Sequence, residues 1–188
     1  MENSHGLNIE QLIPLLRAER KAGRAVALTV RSNSMLPLLR QGDQIEIVQV
    51  HPSELRQGDI VTIVETAALT GSQQADLLTH RLWQATPDQL HTRGDRLLQF
   101  DTAVSSDQLL GKVIARRRQR TLRLDQGVGQ RLHAHLAATA AWESGQLAAN
   151  RSNQSALLFR IRHRLLQLWG SLLAQIVNVL IFIGMLVA

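Results

Sequence analysis

Cysteine is absent from the 188 residues, which excludes disulfides, thiol catalysis and sulfur-bound metal, and leaves the redox compartment open. Tyrosine is absent as well, and aromatic residues make up only 3% of the chain. That is too few for the stacking platforms on which single-stranded nucleic acid is held. Residues Met1 to Arg24 hold no long apolar run, because Glu10, Arg17, Glu19, Arg20, Lys21 and Arg24 interrupt it. No cleavable signal or N-terminal anchor is therefore expected there.

What is present suffices for one domain of ordinary size and an appendage, since 45% of the residues are apolar. The net charge of +6 is local. Lys112, Arg116, Arg117, Arg118, Arg120 and Arg123 form one cluster, and Arg160, Arg162 and Arg164 form a second. A basic cluster beside a long uncharged apolar segment suits anionic lipid or plain solvation better than nucleic acid, so no nucleic-acid partner is expected.

Hydrophobic period divides the chain into three parts. Ile9, Leu12, Ile13 and Leu16 recur at helical spacing and Gly23 stops the pattern, which predicts an amphipathic helix over residues 8–22 within an N-terminal region 1–24. Pro14 weakens that helix without removing it. From Ala25 the period shortens, and strands are expected at Ala25–Val30, Gln44–Val50, Ile60–Glu65, Leu77–Gln84, Gln89–Thr92 and Lys112–Arg117. The words Arg40-Gln41-Gly42-Asp43 and Arg56-Gln57-Gly58-Asp59 each precede a strand and read as turn chemistry used twice. Thr66–Gln74 reads as a hairpin loop, and Arg116–Leu124 as a closing hairpin.

After Asp125 the helical period returns, so residues 125–188 form a helical C-terminal region. Ser144–Ser155, rich in Ser, Asn, Gln and Gly, is expected to be a linker. His133 and His135 suggest a metal pair, but an i, i+2 spacing points them to different sides of a helix, so solvated histidines are expected and no metal. Leu165–Ala188 carries no charge over 24 residues, long enough to cross a bilayer. Its polar residues Gln167, Ser171, Gln175 and Asn178 are spaced along one helical face that Arg160 and Arg164 extend backward. Such a helix lies in the membrane interface, packs its wet side against a partner within the membrane, or docks on its own protein. Membrane association is expected, with the flanking arginines favouring the cytoplasmic side for the preceding domain.

The sharpest chemical signal is Ser32-Asn33-Ser34-Met35-Leu36-Pro37, directly after an apolar strand and just before Gly42-Asp43. A serine hydroxyl needs a neighbouring base to become a nucleophile. This segment resembles the nucleophile box of the type I signal peptidases, shared in part with the SOS-response repressor autoproteases. Most of those relatives use a lysine base, whereas the lysines here, Lys21 and Lys112, do not occupy the corresponding place. Leu78-Thr79-His80-Arg81-Leu82 does, and it resembles the His-Arg box of the endoplasmic-reticulum, archaeal and sporulation-type signal peptidases. Thr92-Arg93-Gly94-Asp95, with Asp101 shortly after it, is similar to the Lys-Gly-Asp box of that branch and its trailing acidic residue.

The resemblance implies a serine endopeptidase domain over residues 25–124. Ser34 is then the nucleophile, His80 the general base and Asp101 the carboxylate that orients it, while Asp95 assists or shapes the turn. The Ser32 hydroxyl and the Ser34 amide would hold the oxyanion. Plainer readings stand beside these: His80 as a core histidine, Ser32 as a turn residue, Met35 as simple core. The implied fold is mainly β, a coiled multi-stranded sheet or barrel-like signal-peptidase core with an N-terminal helix and C-terminal helices. The implied reaction is cleavage of signal or leader peptides from precursor proteins through an acyl-enzyme, with no cofactor. Two alternatives remain open: a cytoplasmic protease acting on a leader peptide or regulatory protein, and a catalytically silent, membrane-associated binding module.

Overall fold

The computed structural model describes residues 24–65, 76–149 and 156–182, together with Pro14 and Ala18. The helix expected over 8–22 and the loop Thr66–Gln74 therefore lie outside the described residues, apart from Pro14 and Ala18, which are both helical.

The fold is mainly β. Eight strands form one antiparallel sheet: β1 (Val26–Thr29), β2 (Gln44–Val48), β3 (Ile60–Glu65), β4 (Asp76–Ala85), β5 (Gln89–Arg93), β6 (Val104–Ser105), β7 (Leu109–Arg117) and β8 (Thr121–Arg123). Seven run in the order β1-β2-β7-β3-β4-β5-β6, and β8 pairs with β7. Register shifts at Glu46/Ile47, Thr62/Ile63 and Leu82/Gln84 bend the ladders. Each adds local twist, and together they curl the sheet into a half-barrel.

The two Arg-Gln-Gly-Asp words build the same turn. Gly42 and Gly58 have φ of 88° and 96°, a left-handed conformation that glycine adopts without steric cost. Each aspartate accepts from the arginine amide three residues earlier, Arg40 to Asp43 and Arg56 to Asp59, both at 2.9 Å.

One core cluster joins Met35, Leu38, Leu39, Ile45, Ile47 and Leu122 to the helices, and a second holds Val61, Ile63, Leu82, Leu90 and Val104. Helix α1 (Gly127–Ala149) contributes Leu132 and Leu136 to the first, and helix α2 (Ala156–Phe182) contributes Ala174. The expected linker from Ser144 is corrected in its first half, because α1 continues through Ala149. Leu147, Ala148 and Ala149 are strong helix formers that carry the helix past Gly145.

Two residues of the polar stripe, Gln167 and Asn178, face the domain, whereas Gln175 and Arg164 are exposed. Asn178 accepts from the Arg116 guanidinium at 2.6 Å, and Gln167 donates to the Asp95 carbonyl at 2.7 Å. Burial pushes Arg116 down to about 10, which leaves it charged at neutral pH. Among the described residues no helix is long and apolar enough to cross a membrane.

Candidate active site

The segment after β1 turns sharply and is held at both ends. Val30 exchanges backbone hydrogen bonds with the next strand's entry, donating to the Asp43 carbonyl at 2.8 Å and accepting from Gly42 at 2.9 Å. Asn33 accepts from the Gln41 amide at 3.0 Å, and Met35 is buried beneath. Asp43, itself buried, is gripped by Arg118 through hydrogen bonds of 2.6 and 2.7 Å. Ser34 is thereby presented half-buried on a fixed loop, its side chain turned toward the sheet.

His80 meets it from β4. Its Nε2 lies 2.8 Å from Ser34 Oγ, and its Nδ1 lies 2.7 Å from Asp101 Oδ2. His80 is 3% exposed, so the ring is fixed by packing as well as by its two polar partners. Asp101 returns to the site because its amide donates to the Thr92 carbonyl at 3.0 Å, while Thr92 Oγ1 donates to Asp101 Oδ2 at 2.6 Å. Burial pushes the Asp101 carboxyl up, but hydrogen bonds from His80 and Thr92, with the charges of His80 and Arg93, outweigh it. The carboxyl therefore sits below its ordinary value and is ionised at neutral pH, as a group orienting an imidazole N–H needs to be.

Ser32 also reaches the nucleophile, with its Oγ 3.0 Å from Ser34 Oγ. The Ser34 amide points the same way, 3.5 Å from Ser32 Oγ. The structure thus brings Ser32, Ser34, His80 and Asp101 together.

Asp95 is not among them. Its two carboxylate oxygens accept from Arg81 Nε and Nη2, each at 2.7 Å, in a pair that is 4% and 6% exposed. Arg81 also donates to the Gly58 carbonyl at 2.8 Å. Asp95 therefore anchors the turn, the second of the two roles expected for it, and makes no hydrogen bond to the histidine. Lys112 likewise stands apart, paired with Asp59 at 2.8 Å. Lys21 lies outside the described residues.

Four contributors receive no role in the sequence reading. Thr92 is the second donor to Asp101, and Arg81 fixes the turn. The Arg96 amide donates to the Ser34 carbonyl at 2.9 Å. Gly94 lies so close to the imidazole that a Cβ there would be 3.0 Å from His80 Nε2. A small residue next to a charged box is the available signal for Gly94. Arg81 belongs to the His-Arg box, but its partner Asp95 is not legible there, because a strand arginine reads as solvent-facing.

His133 corrects its expectation in part. It is half-buried, with Nδ1 3.5 Å from Arg81 Nη1, whereas His135 is exposed. Burial and the Arg81 charge push His133 down to about 4. Among the described residues no cluster of three His, Cys, Asp or Glu side chains is arranged to hold a metal ion.

Beside Ser34 opens a cleft of about 420 Å³. It is lined by Ala27–Thr29 of β1, the following Val30 and Leu77–Thr79 of β4, with Met35 and Ile45 as its apolar floor and Glu65 and Asp76 at one end. Burial, with the nearby charge of Asp101, pushes the Glu65 carboxyl up. Among the described residues β1 pairs with β2 alone, and residues 76–80 of β4 pair only with β3, because β5 joins β4 from Arg81 onward. Both walls of the cleft therefore carry strand edges that none of these pairings uses. No protein-family model, curated protein or solved structure matches this chain.

Proposed function

We propose that the chain is a serine endopeptidase similar to the signal peptidases, acting through an acyl-enzyme. The observation that carries this reading is the continuous relay Ser34–His80–Asp101, with both links under 3 Å. A core histidine needs only one satisfied partner; here the second nitrogen faces a serine hydroxyl at the mouth of a cleft.

The chemistry follows from the atoms. His80 Nε2 takes the Ser34 proton as Oγ bonds to the scissile carbonyl carbon, and the carbonyl electrons move onto oxygen. The Ser32 hydroxyl and the Ser34 amide donate to that oxyanion. Asp101 accepts from Nδ1 and stabilises the imidazolium. Collapse of the intermediate breaks the C–N bond, and the leaving amine takes the proton from His80. Water, deprotonated by the same nitrogen, then attacks the ester and restores Ser34.

The substrate class is an extended peptide. The edges of β1 and of residues 76–80 that no described strand occupies would pair with a strand laid between them, and the apolar floor would take its alternate side chains. Precursors bearing signal or leader peptides fit this description. The test compares peptides in cells carrying the intact chain or Ser34→Ala by mass spectrometry. Precursors that accumulate with Ser34→Ala identify substrate and compartment, and identical peptide profiles would count against a protease.

A further inference from the structure

Helix α2 carries a large apolar face on the side turned away from the domain, in addition to the side that docks on it. A helix on the surface of a soluble domain turns its apolar arc inward and its polar arc to water. The docked side is mixed: His163, Gly170 and Ala174 are buried and Leu173 and Val177 pack against the core, while Gln167 and Asn178 bond to the domain. Gly170 is so closely seated that a Cβ would lie 3.0 Å from Leu136 Cδ2 and 3.2 Å from Pro37 Cγ. The outward face carries Ile161, Leu165, Leu168, Leu172, Ile176 and Val179, each 46% to 66% exposed, with Trp169 beside them. Among the described residues only Leu97 and Trp142 are also large, apolar and exposed.

At 3.6 residues per turn these positions form an arc of about 100° that runs for about 27 Å along the helix. That is a larger continuous apolar face than a monomer ordinarily shows to water. Its borders are cationic. On the same wheel Arg162 lies just beyond one edge and Arg164 just beyond the other, and both are exposed. Arg162 rests 3.9 Å over the Trp142 ring, which sets a cation and an indole together on one border. No acidic residue occurs between Ala156 and Phe182.

We propose that α2 lies in the plane of a membrane, with its apolar arc among the acyl chains and Arg162 and Arg164 at anionic headgroups. Lipid explains both features at once, because a bilayer interface is apolar below and negatively charged above. A second copy meeting this face would bury the apolar arc, but its own α2 would bring no acidic side chain to either arginine. The inference does not depend on the catalytic reading. The docked side of α2 touches Pro37 of the nucleophile loop and the Asp95 turn, so a protein seated this way holds the site close to the bilayer.

The test is flotation of the full-length protein with vesicles of phosphatidylcholine, with and without phosphatidylglycerol. The protein is expected to float with the anionic vesicles and more weakly with the neutral ones. Arg162→Gln with Arg164→Gln should lower partition onto anionic vesicles about 30-fold, roughly fivefold per arginine. Leu168→Ser with Leu172→Ser and Ile176→Ser should abolish flotation on both while the circular dichroism spectrum is kept. Three results overturn the proposal. The wild-type protein fails to float as a soluble monomer; it fails to float as a dimer that the triple serine variant converts to monomer; or the triple variant unfolds, which means that the protein itself covers these side chains.

Discussion

The Arg81 guanidinium grips both oxygens of Asp95 at 2.7 Å, one residue along the strand from His80. Adjacent strand residues point to opposite faces, so one strand delivers the base to the cleft and a clamp to the turn behind it. Asp95→Asn leaves a buried guanidinium uncompensated and should cost about 3–5 kcal/mol of stability, read by thermal or urea unfolding. Folded Asp95→Asn protein is expected to keep most of its rate, because Asp95 makes no hydrogen bond to the relay. A folded but inactive variant would return Asp95 to the catalytic set.

Asp101→Asn should behave in the opposite way. It removes the acceptor that fixes the His80 tautomer, so kcat should fall on the order of 10⁴-fold. Its stability cost follows the sign of the shift. The carboxyl is held below its ordinary 3.8, so its contribution is present above that value and is lost as pH falls through the lower folded value. Comparing acid unfolding of wild type and variant measures this part separately from turnover.

His133 makes stability depend on pH over a different range. Arg81, Asp59, Asp95 and Lys112 surround it, and its folded value near 4 lies below the ordinary 6.5. The unfolded chain then binds the additional proton between these values, so stability should fall as pH drops from about 6.5 to about 4. His133→Gln is expected to flatten that slope in melting temperature while leaving the rate at neutral pH unchanged. An unaltered slope would assign it to other groups.

Gly94→Ala tests how tightly the imidazole is positioned. The added methyl would approach His80 Nε2 at 3.0 Å and Leu97 Cδ1 at 3.0 Å. Displacement of the base by a fraction of an ångström should lower kcat by up to about 10²-fold. Substrate binding should change little, so a variant impaired in KM alone would contradict this role.

Much of the central sheet was legible because its signals are local. The paired Gly-Asp turns, the alternation in Gln44–Val48 and the run Ile60–Glu65 each specify backbone without reference to distant residues. β7 begins at Leu109, earlier than the Lys112 expected, because Gly111 does not break the strand. Its missing side chain lets the Val48 carbonyl approach to where a Cβ would sit 2.5 Å away. The length of α1 was hidden for a tertiary reason: Glu143 near its end is buried against Arg93 and His163, contacts that Ser144 and Gly145 give no hint of.

At the site, the four residues brought together stand in short boxes far apart in the chain, with His80 46 residues after Ser34 and Asp101 21 residues after His80. Thr92 and Arg81 stand in the same boxes, but their roles are not legible there, because these depend on which strand face they occupy and on neighbours supplied by other elements. The polar stripe of α2 was visible as a stripe. That Gln167 and Asn178 turn inward, toward the Asp95 carbonyl and Arg116, could come only from the docked helix.

The most direct test of the central claim is labelling with an alkyl fluorophosphonate, which modifies a serine only when an adjacent base activates it. The modified residue would be located by peptide mass spectrometry. The account predicts stoichiometric modification of Ser34, far slower modification in Asp101→Asn, and none in His80→Ala. Absence of label on Ser34 in the folded protein, or equal labelling in His80→Ala, would contradict it.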